Sequence, residues 1–297
     1  MLKTKVEMYF KNLQSNLCAA LETQEPSTNQ FTQDHWQHHQ ITGCSRVLIG
    51  KTFEKAGVNF STIKGDTLPL AATEKRVDLL GAAFEAMGVS SVIHPVNPFV
   101  PTAHMNVRYF QATKKDGGIV WWFGGGFDLT PYYGFDEDCI HFHNIAKTAC
   151  DKIDVSFYPR FKKNADDYFY IKHRDEQRGI GGLFFDDFNQ PDFDTCFQLI
   201  KNVGNGFIDA YLPIVQKRKN NVFTEMHRNF QAYRRGRYVE FNLIYDRGTL
   251  FGLQVGGRVE SILMSLPPKV EWKYNWMPEK NSPEEKLMCY YLKPKEW

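Results

Sequence analysis

Between His173 and Asp187 the chain reads HRDEQRGIGGLFFDD, and no other run restricts the fold as much. Gly179, Gly181 and Gly182 follow directly on His173, Arg174, Asp175, Glu176 and Arg178. Glycine admits positive φ and lets backbones approach more closely than any side chain permits. A surface loop has no need of three glycines so close together. A buried strand does not carry five ionisable groups in one cluster. Charges packed beside glycines are expected where ionised groups are held for use. The plainer alternative is a polar hairpin edge with a Gly-rich turn.

Around this run, helical and extended patterns mix without strict alternation. Val6, Phe10, Leu13, Leu17 and Leu21 predict a helix over 5–22, followed by a polar loop over 23–40. Val77, Leu80, Phe84 and Met87 predict a helix over 73–87, with Gly88 as its stop. Extended segments are expected at 90–95, 104–112, 118–124, 166–173 and 182–188. Further helices are expected over 137–153 capped by Asp136, over 194–216 capped by Asp194, and over 222–235 ended by Gly236. Tyr238–Tyr245 and Thr249–Val255 read as a hairpin around Asp246-Arg247-Gly248. Arg258–Leu266 reads as a helix, and Ser282-Pro283-Glu284-Glu285 as a helix start. There is no internal repeat or linker. The expected fold is therefore α+β, a large, mainly antiparallel sheet flanked by helices on both faces, in a single domain over 1–297.

Composition narrows the function. A net charge of +2 gives no basic field for nucleic acid. No apolar run reaches the length of a membrane span. Six cysteines without a CxxC pair read as reduced thiols in a cytoplasmic protein. The lack of CxxxCxxC argues against an iron–sulfur radical enzyme, and the lack of GxGxxG after a strand argues against a dinucleotide. No organic cofactor is expected.

Several residues could carry chemistry. On a strand, His104, Asn106 and Arg108 share one face, offering a proton donor, an amide and a carboxylate fork in a row. The alternative is a solvated polar face. Gly256-Gly257-Arg258, at a helix start, would offer free N–H groups and a guanidinium to an anion, or simply form a tight turn. Arg234, Arg235, Arg237, Arg247 and Arg258 form either a carboxylate clamp or a set of salt bridges. Asp246 and Asp128 are candidate acceptors for N–H groups, Asp246 the stronger, or else structural turn residues. His143 faces inward on its helix, as a hydrogen-bonded core residue or a ligand.

The HRDEQRGIGGLFFDD run resembles the signature of the oxygen-dependent coproporphyrinogen III oxidases. GVSSVIHPVNPFVPTAHMNVR (88–108), WWFGGGFDLTP (121–131), YDRGT (245–249) and FGLQVGGRVESILMSLPP (251–268) also match that family in order. One departure is Asn164-Ala165, where the family usually has Trp-Cys, read as a change in packing. The resemblance implies oxidative decarboxylation of two propionates of coproporphyrinogen III to vinyl groups, with O2 as co-substrate, in haem biosynthesis. It implies His104 as general acid, and Ser90, Asn106, Val107, Arg108, Asp246, Gly256, Gly257 and Arg258 as substrate contacts. It associates His94, His104, His143 and His173 with a divalent metal such as Mn2+. It also implies a homodimer; the strand-rich segment over 238–273 is the expected contact region, since its apolar residues exceed what one short hairpin can bury. Two other readings stay open: a noncatalytic tetrapyrrole carrier and a metal-dependent oxygenase.

Overall fold

The computed structural model describes residues 2–68, 79–114 and 116–297. Helix α1 (Leu2–Glu22) buries the apolar stripe expected of it. Strands β1 (Thr32–His38), β2 (Ile41–Leu48), β3 (Phe53–Gly65), β4 (Ala83–Pro95), β5 (Thr102–Thr113) and β6 (Ile119–Thr130) form an antiparallel meander. Helices α2 (Asp136–Asp151) and α3 (Phe157–Tyr168) follow, then the short strands β7 (Tyr170–Ile171) and β8 (Glu176–Gln177). Strand β9 (Gly182–Phe188) returns to pair antiparallel with β6, giving the order β1-β2-β3-β4-β5-β6-β9. The remaining helices are α4 (Phe193–Arg218), α5 (Glu225–Ile244), α6 (Arg247–Gln254), α7 (Val259–Leu263) and α8 (Pro283–Lys286).

Helices cover both sheet faces, as expected for the α+β class. On one face α1 and α4 bury Val89, Ile93, Met105, Val107, Phe123 and Phe127 in the main core. Gln14 of α1 donates across that contact to the carbonyls of Cys44 and Val58 at 2.7 and 2.9 Å. Over the other face lie α5, α6 and α7, with the Ser261 and Ser45 hydroxyls 2.9 Å apart.

Several expectations are corrected. Of the helix expected over 73–87, residues 73–78 lie outside those described. Phe84 and Met87 lie on β4 and point into different clusters. Apolar residues three apart also fit a strand buried on both faces. Part of the expected loop at 23–40 is the exposed edge strand β1. Residues 166–168 end α3 rather than begin a strand. Asp192, not Asp194, caps α4, accepting from the Thr195 N–H at 2.9 Å. Phe135, not Asp136, is the N-cap of α2.

The expected hairpin at 238–255 is helical. Gly236 does not stop α5; a Cβ there would meet the Glu271 carbonyl at 3.0 Å, so it admits a crossing chain. Tyr238, Phe241 and Asn242 then fall on the buried face of the same helix. Asp246, read as a turn residue, caps α6 through the Gly248 and Thr249 N–H groups. Of the departure at Asn164-Ala165, only Ala165 is a packing position, fully buried with Phe169, Ile171 and Phe241, while Asn164 is exposed.

Gly179 and Gly182 of the signature, and Gly126 on the neighbouring β6, act by close approach. A Cβ at Gly126 would lie 1.9 Å from the Leu183 carbonyl, and one at Gly182 would lie 2.1 Å from that of Phe127. A Cβ at Gly179 would be 2.1 Å from the Leu129 carbonyl. The clashing atoms are backbone, so the strands themselves would have to part. Gly182→Ala is expected to destabilise the protein by about 2–4 kcal/mol. Chemical denaturation checks this, and an unchanged midpoint would refute the close-approach role.

Candidate active site

The helix-covered polar face of the sheet is laid out in rows by strand register. Asn59, Ser90, Asn106 and Gly126 stand opposite one another across β3 to β6. Val92, His104 and Asp128 form the next row, and Gly88, Arg108 and Gly124 the row on the other side. A Cβ at Gly124 would lie 2.7 Å from the Arg108 guanidinium, so this glycine leaves the space that guanidinium fills. Above these rows is a cavity of about 570 Å3, a size suited to one organic ligand.

His104 is part of a charge chain. Its Nδ1 lies 2.8 Å from Asp128 Oδ1, and Arg178 donates to Asp128 Oδ2 at 2.7 Å. Arg178 also donates to Asn242 Oδ1 at 2.9 Å. The Arg178 side chain is 2% exposed and is packed among the rings of Phe169, Tyr238 and Phe241. Burial pushes the Asp128 carboxyl up, but Arg178 and His104 together hold it below its ordinary value, so it stays ionised. Asp128 fixes the imidazole through Nδ1, and Nε2 is left to the cavity side.

The carboxylate-binding groups sit around this chain. Arg108 donates to Asn106 Oδ1 at 2.9 Å and pairs with Asp186 at 2.9 Å. Arg258 pairs with Asp34 at 2.6 Å. Asp246 accepts from the Tyr168 hydroxyl at 2.7 Å and from the Thr249 hydroxyl at 2.7 Å. Burial raises its carboxyl, yet the bonds from Thr249 and Tyr168 bring it below its ordinary value. With the Thr249 and Gly248 N–H groups at 2.9 and 3.4 Å, Asp246 already takes four donors on its about four acceptor positions, so a ligand N–H would have to exchange with the longest of them, that of Gly248.

The structure brings most predicted substrate contacts together: Ser90, His104, Asn106, Arg108, Asp246, Gly257 and Arg258 all line the cavity. Val107 does not; its side chain is 0% exposed in the core beneath the sheet, as strand alternation requires. The expected anion site at Gly256-Gly257 is also corrected. Gly256, at φ +68°, ends α6. The N–H groups of Gly256 and Gly257 go to the Leu253 and Gly252 carbonyls at 3.2 and 2.8 Å, closing the helix. Arg234, Arg235 and Arg237 are no substrate clamp. They are buried and paired with Glu176, Glu54 and Glu240, while Arg247 and Arg258 line the cavity.

The four histidines do not form a ligand set. His94 bonds Thr102 and the Ser265 carbonyl; His143 bonds Tyr158 and the Ile180 carbonyl. His173 bonds Tyr245 and Glu240. Each of these rings spends both nitrogens on separate protein partners. Among the described residues no three metal-binding side chains converge. This fourfold imidazole assignment does not fit a metal.

Sequence reasoning underweighted Asp128, which proves to be the direct partner of His104. It assigned no role to Arg178, Asp186 or Tyr168, although all three fall in or beside the signature. The glycine spacing was their only signal, marking where charged residues would be pressed against β6.

His143 yields a pH prediction. Burial lowers its pKa from the ordinary 6.5 to about 4. A lowered folded pKa means the unfolded chain binds the proton first. The stabilisation is therefore complete above pH 6.5 and is lost as pH falls toward about 4. Denaturation midpoints for wild type and His143→Gln should differ most above this window and converge within it. A constant difference would contradict the assignment.

Comparison with known proteins agrees with this geometry. A family model described as coproporphyrinogen III oxidase matches residues 5–297. The chain is 54% identical over 302 residues to an oxygen-dependent coproporphyrinogen-III oxidase of Francisella philomiragia subsp. philomiragia, covering 99% of this chain and 98% of that protein.

Proposed function

The chain belongs to the coproporphyrinogen III oxidase family, and on that premise we propose how its cavity carries out the reaction. The enzyme oxidatively decarboxylates two propionates of coproporphyrinogen III to vinyl groups, giving protoporphyrinogen IX with O2 as oxidant. One observation carries the reading. An imidazole tied to a buried ion pair, an ionised Asp and several guanidinium groups all face one cavity of about 570 Å3.

The electron count defines what the residues must do. An ionised propionate arm that becomes vinyl releases CO2, one proton and two electrons. Dioxygen taking those two electrons needs two protons. The arm supplies one, so a further proton must come from the protein. His104 is placed to deliver it through Nε2, with Asp128 stabilising the protonated ring. The spectator carboxylates are gripped by Arg108 and Arg258, whose planar forks suit them. The reacting carboxylate must stay outside such a grip, because it leaves as neutral CO2. Asp246 exchanges its longest contact, the Gly248 N–H at 3.4 Å, for a pyrrole N–H and so orients the ring. These contacts supply positioning, which is worth a large share of the barrier.

The enzyme acts as one domain over 1–297, and its six free cysteines suit a reducing cytoplasm. Its partner is a second copy of itself. The segment expected to join the copies is helical rather than strand-rich, yet it exposes Leu243, Ile244, Leu250, Leu253, Val259 and Trp272. So many exposed apolar side chains suit an interface. Sedimentation should give twice the chain mass of 34.5 kDa; a monomer at micromolar concentration would overturn this.

Incubation with coproporphyrinogen III in air should yield a divinyl product, resolved by fluorescence chromatography. A carrier would bind without turnover. His104→Ala should lower kcat by about 10²–10⁴-fold with little change in KM. Unchanged kcat would remove His104 from the proton step.

A further inference from the structure

At one wall of the cavity a protein carboxylate lies between two guanidinium groups. Asp186 Oδ1 is 2.9 Å from Arg108 Nη2, and its Oδ2 is 3.6 Å from Arg247 Nη2. Both cations lie near the Phe184 ring, at 5.8 and 5.4 Å from its centroid, and Tyr168 stacks on that ring at 4.0 Å. The aromatic pair thus forms a platform that holds the two forks side by side. Burial raises the Asp186 carboxyl, but Arg108 and then Arg247 pull it below its ordinary value, so it stays charged.

A propionate gripped at this wall would need the same donors. Arg108 gives one N–H of Nη1 to Asn106 and one of Nη2 to Asp186, so a propionate seated in this cleft meets the Asp186 carboxylate on the same guanidinium edge. A second carboxylate at contact distance from Asp186 would be repelled. We propose that Asp186 competes with one spectator propionate of the tetrapyrrole for the Arg108–Arg247 cleft, and is displaced from it when that arm binds. This inference rests on the function proposed above and concerns its specificity. A resident carboxylate keeps the two cations in register and lowers affinity for anything bearing too few acid arms to displace it.

The test is binding of coproporphyrin III, the oxidised tetracarboxylate that cannot turn over, followed by quenching of protein fluorescence. Asp186→Asn and Asp186→Ser should each bind it about three- to tenfold more tightly than wild type. KM should fall in the same direction while kcat does not rise. A residue with only a structural role would, when lost, loosen binding rather than tighten it. Unchanged or weaker binding by variants that melt like wild type would overturn the proposal. Should neither variant fold, the wild-type complex decides. A propionate on Arg108 with Asp186 beyond 4 Å supports the proposal, and an unbroken 2.9 Å pair overturns it. Failure of wild type to bind the porphyrin would instead remove the functional reading, and this inference with it.

Discussion

The site depends on two strands lying closer together than side chains allow. Where β9 runs along β6, the space a Cβ would take at Gly126 holds the Leu183 carbonyl, 1.9 Å away. Reciprocally, Gly182 sits against the carbonyl of Phe127. This approach brings the charged run before β9 onto the sheet beside Asp128. Arg178 then reaches Asp128, and Asp186 reaches Arg108. His143 helps by donating its Nε2–H to the Ile180 carbonyl of the loop.

Charge in the cavity is organised in pairs. Arg178 answers Asp128, Asp186 answers Arg108 and Arg247, and Asp34 answers Arg258. The pairs differ in burial, and burial separates their roles. The Arg178–Asp128 pair is almost fully enclosed, with side chains 2% and 3% exposed, so breaking it would leave a buried charge. It serves as a fixed base for His104. The Arg108 and Arg258 pairs face the cavity and are screened more.

Legibility from sequence followed the range of the interaction. The alternation of His104, Asn106 and Arg108 against Met105 and Val107 was readable because a strand's period is set by its own backbone. That same period put Val107 in the core, against the role the family likeness implied for it. Asp246, which the likeness implied as a substrate contact, lines the cavity, yet the local pattern misread its surroundings as a hairpin. Tyr238 and Phe241 carry strand propensity, and only packing against Phe169 and Arg178 made that stretch helical. Gly256-Gly257 looked like an anion cradle, but the end of α6 consumed both N–H groups.

The sequence alone determined the antiparallel α+β class, the row of polar residues on β5 and the place where backbones must meet closely. Each of these follows from local geometry: period, turn chemistry or the missing Cβ of glycine. Tertiary structure decided which carboxylate answers which guanidinium, and which histidine faces the cavity. Arg178 and Asp128 are 50 residues apart in the chain. Their meeting depends on strand order and register, which no short window of residues contains.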